Sequence, residues 1–446
     1  MSVPLLLLFS AVCCLLLLVG MARRGAIYEF PFLAGAVFTG FALPQLVGLA
    51  SDSFLPPGAL EKTLAMATLC AAMCWIGHAA NSKPWGLFRW EYDETRLLWV
   101  SLVLSLAGCY FYYAFGALPE EVLHSSQMSG LPVVYLFFAR LLAYGFAIAV
   151  LLYARTGSKS ALAVALFGSI FYLERIVIAG RRADLIEFCA IIALAAYFQR
   201  GRAIPRPVML IGLILGTLGV YSTGDYRGAT MSDDGPQWSS VLQIDFIGNF
   251  ERMTQQGGPE LTNAAYYIEA TDRQMTFDFG LFQWNELVAR YVPAQLLGDE
   301  FKASLIFDLD TPAQTEFLYT PDTGSTLTGL TDSFRSFWYF GCLEFAVIAF
   351  VMSGLWRAAV AGDMSSQLAY MLILAQALHA ITHSTSNFTA PWVQMAIFLV
   401  PVLLLARRPA GRREYARSHA TDRYRMPDWV GGPFGPRPVG NLAPPR

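Results

Sequence analysis

The stretch Leu5-Leu-Leu-Leu-Phe-Ser-Ala-Val-Cys-Cys-Leu-Leu-Leu-Leu-Val-Gly-Met-Ala-Arg23-Arg24 decides the fold. It is an apolar run close to the roughly 20 residues that cross a bilayer as a helix. It differs from a secretory leader because no basic segment precedes it and two arginines follow it. That charge order is expected to anchor a retained helix with its N-terminus outside.

Comparable runs recur along the chain. Together with the first, at 3–20, they lie at 30–50, 62–80, 97–116, 131–153, 160–179, 183–199, 206–222, 334–356, 367–384 and 388–406. The expectation is therefore an all-α polytopic membrane protein with about 11 transmembrane helices. Eight spans fall within 1–222 and three within 334–406, separated by one large exterior loop at 223–333.

Composition agrees with this reading. Of 446 residues, 55% are hydrophobic and 14% charged, with a formal net charge of -2. Soluble chains carry about 25% charged residues. The near-neutral total conceals an asymmetry. With the N-terminus outside, the expected inner loops hold Arg23 and Arg24, then Lys83, Arg89 and Arg96, then Arg155 and Lys159, then Arg200, Arg202 and Arg206, and finally Arg357. Nine arginines from Arg407 to Arg446 follow in the tail, so 20 of the 31 basic residues lie on the inner side. The short outer loops with Asp52 and Glu120–Glu121 are acidic or neutral. This is the positive-inside pattern, and it places the C-terminus in the cytoplasm. The Gly- and Pro-rich tail at 407–446 is expected to be disordered.

The seven cysteines (Cys13, Cys14, Cys70, Cys74, Cys109, Cys189 and Cys342) all lie in apolar runs. They read as small buried hydrophobes and suggest neither a disulfide framework nor a metal site. Nothing in the charge pattern suggests nucleic acid.

The exterior loop holds seventeen Asp/Glu against five Lys/Arg. Short helices are expected from Pro259 to Gln274 and from Trp284 to Leu297. Asp308-Leu309-Asp310 has the spacing of a metal-binding DxD motif, although nucleotide sugars are not expected outside and such spacing is common. Tyr266, Tyr267, Trp284 and Tyr291 suit stacking on sugar faces and equally suit packing the loop onto the membrane surface.

The informative cations break the positive-inside rule. Arg181 and Arg182 sit in the short outer turn between the sixth and seventh runs, with Arg175 one helical turn earlier. Arg140 lies about nine residues into the fifth run, roughly 14 Å deep at 1.5 Å per residue. Arg227 and Arg335 flank the exterior loop. A charge near the bilayer centre costs about 2.5–3.5 kcal/mol on insertion scales, so it persists where it pairs internally or binds something. Guanidinium groups clustered toward one face suit a multiply anionic ligand held by bidentate phosphate contacts. Internal pairing is the alternative: Glu174 adjoins Arg175, and Asp184 and Glu187 follow the arginine pair, whereas Arg140 has no sequence-local acid. His379 and His383 stand i, i+4 on one helical face near the outer end of the tenth run. They lack a third metal ligand in sequence and suit acid, base or hydrogen-bonding roles.

Four stretches resemble the oligosaccharide repeat-unit polymerases, the bacterial O-antigen polymerase family. They are Ile176-Val-Ile-Ala-Gly-Arg-Arg-Ala-Asp-Leu-Ile-Glu-Phe188, Gly224-Asp-Tyr-Arg227-Gly228, Arg290-Tyr-Val-Pro293 followed by Lys302, and Thr328-Gly-Leu-Thr-Asp-Ser-Phe-Arg-Ser-Phe-Trp-Tyr-Phe-Gly341. The layout of spans and loop is similar over nearly the whole chain. Cys342-Leu343-Glu344 departs from the pattern, since the family often carries a second glycine there. O-antigen ligases share the architecture.

The resemblance implies an enzyme of the bacterial cytoplasmic (inner) membrane that acts without cofactor or metal. Its implied partners are a lipid-linked oligosaccharide substrate and membrane lipids, and potentially a chain-length regulator and a flippase. The implied reaction joins undecaprenyl-diphosphate-linked repeat units into a surface or secreted polysaccharide. Arg181, Arg182 and Arg227 would hold the diphosphate, with Arg140 and Arg175 in support. His383, and with it His379, would serve the acceptor hydroxyl. Arg290, Lys302 and Trp284 would touch the glycan. The rival readings are ligase-like glycan transfer, a surface acyltransferase using His383, and a transporter or flippase of lipid-linked sugars. No internal repeat supports a transporter, and a 111-residue loop exceeds what gating needs.

Overall fold

The computed structural model describes residues 2–23, 25–88, 90–119, 130–232, 235–322 and 324–408. Arg24, Arg89, Glu120–Glu121 and the tail beyond 408 lie outside the described residues.

Apolar runs become helices because a helix satisfies its own backbone hydrogen bonds, a requirement in hydrocarbon. In chain order these are α1 (Ser2–Ala22), α2 (Phe30–Leu49), α3 (Ala59–Ala80), α4 (Glu94–Gly116), α5 (Leu131–Thr156) and α6 (Lys159–Val177). They continue with α7 (Arg182–Arg200), α8 (Arg206–Tyr221) and α9 (Thr223–Thr230). In the segment that follows lie α10 (Phe246–Gln256), α11 (Pro259–Gln274) and α12 (Leu281–Tyr291). The last group is α13 (Gly329–Phe337), α14 (Cys342–Val360), α15 (Met364–Thr382) and α16 (Ser386–Ala406). Among the described residues there is no strand, and the chain is an all-helical, multi-pass membrane protein.

The expected spans are found in part. Among the described residues nine helices are long and apolar enough to cross a membrane, counting Gly329–Val360 as one, and the bent pair α8–α9 makes a tenth. The helix expected at 183–199 forms as α7, but Arg182, Asp184, Glu187 and Arg200 charge it too heavily to qualify by composition. The expected loop helix at 259–274 forms as α11. The one expected from Trp284 to Leu297 breaks at Val292-Pro293 into α12 and a short turn at Ala294–Leu297, as the restriction on a residue before proline requires. All seven cysteines are free, but Cys14 and Cys189 are exposed on the bundle surface, contrary to the expected burial.

α15 is the bundle's axis, with nearly every residue from Met364 to Ile381 buried. α14 lies along α3, where a Cβ at Gly77 would sit 2.0 Å from the Ala346 carbonyl oxygen, so only glycine permits that approach. The acidic segment after α9 folds back onto one end of the bundle. Gln45 of α2 accepts from the Leu261 backbone N–H at 3.2 Å, and Lys62 of α3 reaches Glu269 at 2.8 Å and Asp272 at 2.5 Å on α11. α13 is buried beneath this cap from Gly329 to Ser336.

Candidate functional site

The arginines singled out by sequence converge at this capped end. α6 stops at Val177, and Gly180 adopts φ +57°, a left-handed conformation that glycine takes without a Cβ penalty. The turn brings Arg181 and Arg182 to the start of α7. At the end of α8 the chain bends by 66° into α9. Arg227 on α9 thereby reaches back so that its Nη2 donates to the Gly180 carbonyl at 3.5 Å. Arg182 Nη1 donates to the Val220 carbonyl at 2.9 Å.

The five arginines divide into two kinds. Arg140 Nη1 donates to Glu187 Oε2 at 2.7 Å, and Tyr172 Oη donates to the other oxygen at 3.1 Å. Glu187 is 1% exposed, so this pair is a closed internal bridge. Arg175 Nη2 lies 2.9 Å from Asp184 Oδ2. Its chain neighbour Glu174 instead accepts from the Tyr112 hydroxyl. Arg140 and Arg175, expected in support of the other three arginines, are thus each paired with an acid of α7.

Arg181, Arg182 and Arg227 differ. Among the described residues none of them has a carboxylate within ion-pair distance, and the hydrogen bonds of Arg182 and Arg227 go to neutral backbone carbonyls. Glu260 is the acid that acts most on Arg182. Burial, and next the like charge of Arg175, push the Arg181 guanidinium below its usual range. A guanidinium does not lose its proton in proteins, so the cluster retains unbalanced positive charge.

The histidines adjoin it. Their ring centroids are 5.2 Å apart, and His383 Nδ1 lies 2.8 Å from Thr382 Oγ1. His379 is in electrostatic range of Arg140 and Arg182. Partial burial, and then Arg182, lower the His383 imidazole from its ordinary range and favour its neutral form. His383 is the exposed member of the pair.

The expected glycan contacts are mostly engaged within the fold. Arg290 pairs with Glu286 at 3.0 Å and donates to Asn387 Oδ1 at 3.0 Å. Lys302 donates to the Ala289 carbonyl at 2.9 Å. Trp284 donates to the Leu305 carbonyl at 2.8 Å while leaving its ring 45% exposed. Tyr266 stacks on Tyr319 at 4.0 Å, Tyr267 is buried, and Tyr291 donates to the Ala390 carbonyl, so these tyrosines pack the cap. Among the described residues no group of three histidine, cysteine or acidic side chains is disposed to hold a metal ion.

Sequence reasoning missed a carboxylate network below the cap. Asp332, 1% exposed, accepts through Oδ2 from Ser384 Oγ and the Thr385 backbone N–H, both at 2.8 Å. Gln283 donates to Glu344 at 3.3 Å, and Ser336 donates to Asp278 at 2.7 Å. Thr331-Asp-Ser333 at the entry to an apolar run was the available signal.

The chain matches no protein-family model, and no curated protein or solved structure shows significant similarity to it.

Proposed function

We propose that this protein transfers glycan from a lipid diphosphate at the outer face of a bacterial cytoplasmic membrane, joining repeat units into a polysaccharide. The observation that carries this reading is the group of three guanidiniums without carboxylate partners, Arg181, Arg182 and Arg227, gathered at the Gly180 turn beside His383. Clustered cations without counter-acids suit an anion bearing more than one charge. The resemblance in the same stretches, 176–188 and 224–228, points to undecaprenyl diphosphate as that anion. In this reading α7 crosses with its neighbours, giving eleven passes with the N-terminus outside and the cap exterior.

An acceptor hydroxyl attacks the donor's anomeric carbon, and the bond from that carbon to the diphosphate oxygen breaks. The departing oxygen keeps the electron pair, so charge grows on the diphosphate, where preorganised donors stabilise the transition state most. His383, neutral near pH 7, takes the hydroxyl proton. Arg140 and Arg175 hold α7 in position through Glu187 and Asp184.

Arg182→Ala and Arg227→Ala, each expressed in the native host, are expected to cut polymer formation about 100-fold. Protein level and lipid-linked single repeats should persist. Polymer of unchanged amount and length in both variants would remove the reading. Chains that polymerise normally but fail to reach their final anchor would point to ligase-like transfer instead.

A further inference from the structure

A polar cleft lined by none of the three clustered arginines opens on the cap. It has a volume of about 120 Å³ and lies between the turn after α11, the segment before Pro312 and the end of α13. Its polar lining is Thr276, Asp278, Asp308, Asp310 and Arg335, with Phe277 on the wall. A single water needs only about 10–15 Å³ on the same measure, so the cleft has room for a larger polar group.

The hydrogen bonding is unbalanced in a specific way. Asp278 Oδ2 and Thr276 Oγ1 are buried and have no protein partner. Asp278 Oδ1 is held by Ser336, which fixes the carboxylate in place. Asp308 and Asp310 border the same cleft, and their carboxylates make no hydrogen bond or ion pair among the described residues. Arg335 is 8% exposed, yet it pairs with none of these three acids. Instead its Nη2 donates to the Asp310 backbone carbonyl at 3.2 Å, and its guanidinium lies 5.7 Å from the ring centroids of both Tyr267 and Phe282. The acids are thus left as acceptors beside a fixed donor and an aromatic wall. The described residues offer no metal-binding group to occupy them.

A ligand suited to this lining supplies several donors, accepts from one guanidinium and presents a weakly polar face. A sugar ring does all three, since its hydroxyls donate and accept and its C–H face packs on aromatic carbon. We propose that the cleft is a carbohydrate subsite gripping one sugar of the glycan by its hydroxyls, with Asp278, Asp308 and Asp310 accepting and Arg335 donating. The proposal rests on the glycan-transfer reading and adds to it a second point of hold, separate from the diphosphate. A growing chain gripped there would stay through successive additions, whereas one not gripped would leave early.

The test compares variants of the full chain in its native host by the length distribution of the polysaccharide. Asp308→Asn/Asp310→Asn alters two exposed side chains and should leave the fold intact, and Thr276→Val changes one orphaned hydroxyl. Each is expected to lower the ratio of long to short chains at least threefold at unchanged protein level, because a hydrogen bond to a ligand is worth about fivefold when neutral and about tenfold or more when charged. Arg182→Ala is the comparator. If it abolishes polymer while the cleft variants keep the normal distribution, the subsite is overturned and the transfer reading stands. Shortened chains in the cleft variants, with polymer surviving in Arg182→Ala, keep the subsite and overturn the diphosphate site. A normal distribution in all of them overturns both.

Discussion

At the scale of single residues, the decisive distinction is between arginines with and without an acid. Arg140 illustrates why sequence alone does not make it. Its partner Glu187 is 47 residues away and meets it only because α5 and α7 pack side by side. Removing one member of a buried pair leaves the other charged in a medium that solvates it poorly, at a cost of about 3–5 kcal/mol, whereas replacing both with apolar groups is often neutral. Arg140→Met should therefore lower the thermal stability of the purified protein sharply, and Arg140→Met/Glu187→Met should recover most of the loss. A single variant as stable as the parent would return Arg140 to the pool of ligand-binding cations. The unpaired cluster was legible as positions: Arg181, Arg182 and Arg227 stand out as cations where the charge pattern leads one to expect the outer side. Of the cleft acids, Asp308 and Asp310 were legible as a DxD spacing, but Asp278 beside them was not, because it is their neighbour only through the folding of the cap.

At the scale of elements, the turn at Gly180 and the bend between α8 and α9 act together. A Cβ on Gly180 would lie 3.1 Å from Arg227 Cγ and from Tyr226 Cδ1, and φ there is +57°. A non-glycine residue in that conformation costs roughly 1–2 kcal/mol, and the crowding falls on the helix that carries Arg227. Gly180→Ala should accordingly reduce polymer yield at least tenfold while causing only a modest drop in melting temperature. Equal yield would mean that α9 does not depend on this contact for its position. Helix existence was readable from apolar runs because hydrocarbon imposes so strict a length and composition. The bend and the burial of α13 were not readable, since Gly329–Ser336 carries Thr, Asp, Ser and Arg and becomes interior only under a cap that belongs to another part of the chain.

For the molecule as a whole, the open question is whether α7 crosses the membrane despite its charges. Its 19 residues span about 28 Å at 1.5 Å per residue, close to the hydrocarbon thickness. Arg182 begins at the capped end. Arg200 Nε donates to the Ala154 carbonyl at 2.9 Å, so α7 finishes beside the end of α5, and Arg206 Nη2 at the start of α8 donates to the Ala22 carbonyl at 3.3 Å at the end of α1. The two acids of α7, Asp184 and Glu187, are buried inside the protein, so lipid need not solvate them. A helix shielded by its neighbours in this way can span without meeting the composition of a lipid-facing one. Accessibility to a membrane-impermeant maleimide tests this, with Thr156→Cys, Arg202→Cys and Ser304→Cys made singly in a cysteine-free background. If α7 crosses and basic termini face inward, Ser304→Cys should label in spheroplasts, while Thr156→Cys and Arg202→Cys should label only after lysis. Labelling of Arg202→Cys alone would mean that α7 stays on one side, and labelling of Thr156→Cys and Arg202→Cys without Ser304→Cys would mean that the bundle is inverted. The cap and its arginine cluster would then face the cytoplasm, and an exterior lipid-diphosphate donor could not reach them.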